Sequence, residues 1–253
     1  MALLHCDFFS EVLELRTSMT VILPEVARSA GHPTLYLLHG LSDDDTAWVR
    51  GTSIERYAET LGLAVVMPQV QRSFYCDMAY GNRYWTFLSE ELPTLAHGFF
   101  RLSDRREDTF VAGLSMGGYG AMKWALRQPE RFAAAASLSG ALDMVARQQP
   151  DDLHARLMEQ VFADRPVAGT PDDLHWLLDT ATPADLPALY LCCGTEDHLL
   201  EETANFRDRA ERNGIESTVD LGPGDHEWAY WDAKISEILQ WLPLPAQLTV
   251  SPG

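Results

Sequence analysis

The chain has 253 residues, 46% of them hydrophobic, and a net charge of −18 from 37 acidic and 19 basic side chains. Its length suits one open α/β core, and no stretch approaches the roughly 20 uninterrupted apolar residues that a membrane helix needs. The charge would repel nucleic acid and anionic lipid, both of which require clustered Lys and Arg, so neither is an expected partner.

At the N-terminus a short apolar run is interrupted by His5, Asp7 and Glu11 and carries no early Lys or Arg, a poor secretory signal, so the expected location is cytoplasmic. Residues 12–16 and 19–23 carry strand-forming side chains on either side of Thr17-Ser18 and predict an antiparallel strand pair. Five short apolar runs follow at 34–38, 64–67, 109–112, 133–138 and 189–193, each ending near Gly, Pro, Ser or Asp, as strands buried on both faces do. Helix-like stretches at 53–61, 86–100, 118–127 and 203–213 alternate with these runs, the rhythm of parallel βαβ units. A further strand is expected at 217–221, and a last helix over 228–242, where Ile235, Ile238, Leu239 and Leu242 recur at helical spacing.

The fold class is therefore α/β, one domain over residues 1–253: a mostly parallel sheet with an antiparallel N-terminal pair and helices on both faces. Residues 141–187, rich in Asp and Pro, break the rhythm and read as a small cap-like excursion over the sheet. Cys6, Cys76, Cys192 and Cys193 have neither metal-ligand nor redox spacing and read as reduced, mostly buried thiols.

Chemistry concentrates in Gly113-Leu-Ser115-Met-Gly117, which follows a predicted strand and opens a predicted helix. That context is what a nucleophile elbow requires: a tight turn lifts the hydroxyl above the sheet, and the helix N-terminus favours developing negative charge. A serine hydroxyl is a weak nucleophile and needs a base held in its productive tautomer by a carboxylate. Asp197, above the carboxyl end of the 189–193 strand, and His226, in the turn-rich loop before the last helix, follow Ser115 in the chain order of hydrolases built on such sheets.

Glu196 and Asp185 compete for the acid, and His198 for the base, although a residue adjoining Asp197 is better placed to line the site. An oxyanion needs preorganised N–H donors, expected from Met116 and from Leu41, in the loop that follows Leu38-His39-Gly40. His39 is expected to shape the Gly40 turn. Trp228, two residues after the base, and the aromatic group Tyr80, Tyr84 and Trp85 are candidates to wall a short acyl pocket. The same rings could equally serve the core.

Read together, Leu35-Tyr-Leu-Leu-His-Gly-Leu-Ser42, Tyr80-Gly81, Glu90-Glu-Leu-Pro93, Gly113-Leu-Ser-Met-Gly-Gly-Tyr-Gly120, Ser137-Leu-Ser-Gly-Ala141, Cys193-Gly-Thr-Glu-Asp197 and Gly224-Asp-His-Glu-Trp228 resemble the esterase D-like group of α/β-hydrolases. That group includes S-formylglutathione hydrolases and bacterial tributyrin or acetyl esterases. The resemblance implies a Ser115, Asp197 and His226 triad, oxyanion amides from Leu41 and Met116, a small-molecule ester substrate, no cofactor and no metal, and relatives that often self-associate. It also places the Tyr80–Trp85 loop at the site. Tyr80-Gly81 and His226-Glu-Trp228 look closer to the small bacterial acyl esterases, so hydrolysis of acetyl to butyryl esters is the expected activity and glutathione thioester hydrolysis the alternative. A catalytically silent binding module on the same fold is the non-enzymatic alternative, and acyl transfer to an alcohol would use the same acyl-enzyme.

Overall fold

A computed structural model describes residues 1–25, 28–149 and 154–244. Its centre is an eight-stranded sheet in the order β1-β2-β4-β3-β5-β6-β7-β8. The strands are β1 (Ala2–Ser10), β2 (Leu15–Leu23), β3 (Thr34–Leu38), β4 (Ala64–Pro68), β5 (Thr109–Leu114), β6 (Ala134–Leu138), β7 (Ala188–Gly194) and β8 (Ser217–Gly222). From β4 through β8 every neighbouring pair is parallel, whereas β2 runs antiparallel to both β1 and β4.

The parallel strands feed two core layers because successive side chains point to opposite faces. Tyr36 and Leu38 of β3 and Val111 of β5 enter one layer, while Leu35, Leu37, Phe110 and Ala112 enter the other. Helices α1 (Ala47–Gly51), α2 (Ile54–Leu61) and, at the end of the chain, α10 (Trp228–Trp241) cover the second layer through residues such as Trp48, Ile54 and Ile235. The first layer is covered by α3 (Tyr84–Thr86), α4 (Leu92–Phe99), α5 (Met116–Arg127), α7 (Ala155–Phe162), α8 (Leu174–Thr180) and α9 (Leu200–Arg212), with the single-turn α6 (Met144–Arg147) preceding α7.

Two expectations from sequence are corrected. The antiparallel pair exists, but Thr17 and Ser18 lie inside β2, opposite Phe8 and Asp7, and do not form its turn. The β-branched and long side chains of 15–23 favour one continuous strand. The reversal falls at residues 11–14, where Glu14 adopts φ 56° and the Glu91 carboxylate accepts the Glu11 N–H at 2.7 Å. The helix expected at 86–100 begins at Tyr84 and is interrupted by a π turn, Phe87–Glu91, just before Pro93. Proline lacks an N–H and its ring crowds the carbonyl four residues earlier, so the helix widens there.

Among its described residues the 141–187 excursion holds three helices; residues 150–153 lie outside them. It is tied down by the Tyr119 hydroxyl of α5 donating to the Asp172 carbonyl at 2.9 Å, and by the N–H groups of Ala79 and Tyr80 donating to Val161 and Gln160 carbonyls of α7 at 2.7 and 2.9 Å. Cys6 is half-buried and the other three cysteines are buried; all four are free. Burial raises the Cys76 thiol to about 11 and the Cys193 thiol to about 12, so neither is a ready nucleophile.

Candidate active site

Between β5 and α5 a single residue, Ser115, makes the turn with φ 53° and ψ −116°. A side chain with a Cβ is strained there, and the surroundings hold it. Its N–H donates to the Leu138 carbonyl at 2.9 Å, and its own carbonyl accepts from Ala141 at 3.0 Å and Tyr119 at 3.2 Å. The flanking glycines are required by close approach. A Cβ on Gly113 would stand 2.3 Å from the Gly117 carbonyl oxygen, and one on Gly117 would stand 2.3 Å from that of Leu38. Ser115 is thereby left half-exposed in a run of buried neighbours.

The loops after β7 and β8 are laced together, which brings an acid and an imidazole to that hydroxyl. Gly194 and Gly224 cross so closely that a Cβ on the former would meet the Gly224 carbonyl oxygen at 2.1 Å. Glu196 fastens the crossing: its N–H donates to the Gly224 carbonyl at 3.0 Å, and its carboxylate accepts the Gly224 N–H at 2.7 Å. Asp197 comes next, its side chain fully buried, with Oδ1 accepting the Leu199 N–H at 2.8 Å and Oδ2 lying 2.9 Å from His226 Nδ1. His226 Nε2 lies 3.1 Å from Ser115 Oγ.

Burial alone would raise the Asp197 carboxyl, but hydrogen bonds from His226, Leu199 and Ser139 prevail and hold it below its ordinary value. An ionised carboxylate only accepts, so His226 Nδ1 carries the proton and Nε2 of the neutral ring is left to accept from the serine hydroxyl. The Trp231 ring stands edge-on to His226 at 4.9 Å and is itself tied through its indole N–H to Ser139 Oγ at 3.2 Å.

β3 delivers the opposite wall. His39 is buried; burial lowers its basicity, and the neutral ring accepts the Val70 N–H at 3.2 Å on Nε2 while Nδ1 donates to the Gly40 carbonyl at 2.7 Å. The turn at Gly40 passes close to Ser115: a Cβ there would lie 3.8 Å from Ser115 Cβ. The backbone N–H groups of Leu41, after this turn, and Met116, first in α5, donate to no protein acceptor among the described residues. The Gly40 turn and the N-terminus of α5 thus flank Ser115, and free N–H groups in such a place favour negative charge on a carbonyl oxygen bound there.

The other sequence candidates are distributed unevenly. His198 is exposed and adjoins this hydrogen-bonded chain, its ring 4.7 Å from that of His226 and its Nδ1 3.5 Å from Asp197 Oδ1. Trp228 packs as a second layer, edge-on to Trp48 at 5.6 Å and to Trp231 at 5.2 Å, against Gly51. Tyr80 is exposed, with only its backbone tied to α7. Trp85 is buried, and its ring carries the Lys123 ammonium at 4.8 Å and the Arg127 guanidinium at 3.9 Å.

Sequence reasoning missed Trp231, Ser139 and the Glu196 clamp. Ser139 stood inside the quoted Ser137-Leu-Ser-Gly-Ala141 motif without a role, and Trp231 was concealed by the last helix, where an aromatic reads as core.

A family model described as "Putative esterase" matches residues 10–242. An acetyl esterase of Caldicellulosiruptor saccharolyticus is 28% identical over 96% of this chain and 98% of its own. Among solved structures, the fluorophosphonate-binding serine hydrolase FphF of Staphylococcus aureus superposes with a TM-score of 0.89 at 37% identity, covering 96% of this chain and 98% of its own. The S-formylglutathione hydrolase FrmB of the same organism gives 0.87 at 37% identity, with the same coverage of each chain.

Proposed function

The chain belongs to this esterase family and is a serine carboxylesterase, and from that premise we propose that it hydrolyses acetyl to butyryl esters through an acyl-enzyme on Ser115. The observation that carries the assignment of roles is the continuous chain from Ser115 Oγ to His226 Nε2 at 3.1 Å and from His226 Nδ1 to Asp197 Oδ2 at 2.9 Å. His226 takes the serine proton as Oγ attacks the ester carbonyl, and the oxyanion forms beside the amides of Leu41 and Met116. The imidazolium, steadied by Asp197, then protonates the leaving alcohol. Water repeats the sequence on the acyl-enzyme and restores the hydroxyl.

Short acyl groups are favoured by the likeness to the acetyl esterase and by the crowding of Trp231 against the base. A thioester of glutathione is the second reading, supported by the likeness to FrmB; the same triad would serve it. Among the described residues no helix is long and apolar enough to cross a membrane, and cytoplasmic residence belongs to the proposal.

Comparing kcat/KM for p-nitrophenyl esters from acetyl to decanoyl, with S-acetylglutathione alongside, tests this reading. A buried methylene is worth roughly 0.8 kcal/mol in an open apolar channel, so an open channel would raise specificity with every added carbon. The proposal expects a maximum at or below butyryl and oxygen esters ahead of the thioester. A rise continuing to decanoyl contradicts the short-acyl reading, and a dominant thioester rate contradicts the choice of leaving group.

A further inference from the structure

Beside the triad lies a group of donors that ester hydrolysis does not use together. Asp197, His198 and His226 each offer one ligand atom, and the three atoms lie within 4.8 Å of one another. His198 Nδ1 and Asp197 Oδ1 are 3.5 Å apart. Two ligands on a tetrahedral zinc with bonds of roughly 2.0–2.2 Å stand about 3.4 Å apart, so this pair already spans one edge of such a site. His226 Nδ1 sits on the other carboxylate oxygen at 2.9 Å, and the two imidazoles meet edge-on with 4.7 Å between centroids.

Access and charge point the same way. The His198 side chain is 69% exposed at the mouth of the group, while the Asp197 carboxylate at its base is fully buried. The chain's net charge of −18 concentrates cations at its surface. Imidazole nitrogens select zinc and its neighbours over magnesium and calcium.

We propose that Asp197, His198 and His226 form an inhibitory site for a zinc-like divalent cation, with His198 as the ligand that captures the metal and draws it onto the triad. The inference rests on the triad reading for its effect on catalysis, though not for metal binding itself. His226 exchanges its Asp197 hydrogen bond for the metal at Nδ1, and the proton displaced from Nδ1 moves to Nε2. A ring protonated at Nε2 donates toward Ser115 Oγ and cannot accept its proton, so general-base catalysis stops without any covalent change. Removing the metal restores the working tautomer.

The test titrates zinc chloride into the full chain, following ester hydrolysis and, separately, binding by calorimetry. Each variant's rate is taken relative to its own rate in EDTA. The proposal expects reversible inhibition by zinc, none by equal calcium or magnesium, and at least about a tenfold weaker zinc affinity in His198→Ala, since losing even an outer-shell partner costs about that much. Ser115→Ala should bind zinc as the unchanged chain does. His5→Ala, which removes the imidazole beside Asp7 and Asp45 at the far edge of the sheet, should leave the inhibition intact.

Equal zinc affinity in His198→Ala, or inhibition lost in His5→Ala, overturns the assignment. Zinc that binds at His198 without slowing hydrolysis overturns the tautomer mechanism and faults the triad reading. An active chain that binds no zinc overturns the metal site alone.

Discussion

Ser115 is held in a backbone region that costs roughly 1–3 kcal/mol for a residue with a Cβ, and the loops around it repay that cost through hydrogen bonds and glycine contacts at Gly113 and Gly117. Asp197 and Glu196 are adjacent in sequence but differ in task. Asp197 is fully buried against His226, whereas Glu196 faces solvent and clasps the Gly224 backbone. Asp197→Asn should lower kcat/KM by about three to four orders of magnitude, because the amide no longer selects the Nδ1–H tautomer. Glu196→Gln keeps one acceptor oxygen for the clasp and should cost far less. A more damaging Glu196→Gln would move the acid by one residue.

Since the hydrogen bonds to Asp197 hold it below its ordinary value despite burial, it stays ionised through neutral pH. With the acid already ionised, activity should rise with pH only because a general base must be unprotonated to accept the serine proton. The hydrogen-bonded chain of Ser115, His226 and Asp197 was legible because each residue follows a strand's carboxyl end in a recognisable turn. Trp231 was not, because facing the His226 ring and facing a core leave the same mark on a helix.

Element by element, the least expected feature belongs to α5, which carries the fully buried Lys123 on the side facing the 141–187 excursion. Its ammonium lies 2.5 Å from Asp172, 2.9 Å from the Tyr75 carbonyl and 3.1 Å from Cys76 Sγ, over the Trp85 ring. Burial would raise Asp172, but Lys123 holds its carboxyl below the ordinary value. Lys123→Met should destabilise the fold by roughly 3 kcal/mol because Asp172 is left without its main counter-ion. Adding Asp172→Leu should recover part of that loss, measurable as a positive shift of the urea midpoint over the single variant. Strict additivity of the two changes would show that the pair carries no coupling.

Nothing in the sequence announced this contact, since a lone lysine in a helix ordinarily reads as solvated. β1 was hidden for a related reason: as an edge strand it leaves Leu3 and Phe9 about half exposed, so its alternation lacks a clean apolar face. β3 through β7, buried on both faces or nearly so, were legible as apolar runs.

At the scale of the whole molecule, the sheet order explains why the site lies where it does. From β3 the chain passes to β4 on one side and then returns to β5 on the other, and the crevice at such a reversal, beyond the carboxyl ends of the strands, is where open α/β sheets receive ligands. The Gly40–Leu41 loop after β3 and Ser115 after β5 are the two lips of that crevice. Strand alternation made this architecture readable, whereas the helices of the 141–187 excursion were obscured by Asp and Pro at their ends; Asp173, for example, caps α8 by accepting the Trp176 N–H at 3.1 Å.

The central claim is that catalysis passes through an ester of Ser115. Rapid acid quenching of the protein during turnover of p-nitrophenyl acetate, followed by peptide mass spectrometry, tests it directly. One acetyl group should be found on the peptide containing Ser115, forming at the rate of the p-nitrophenol burst, and it should be absent in Ser115→Ala, whose turnover should fall by on the order of a millionfold. An acetyl group carried by another residue at that rate, or turnover that persists in Ser115→Ala, would contradict the account.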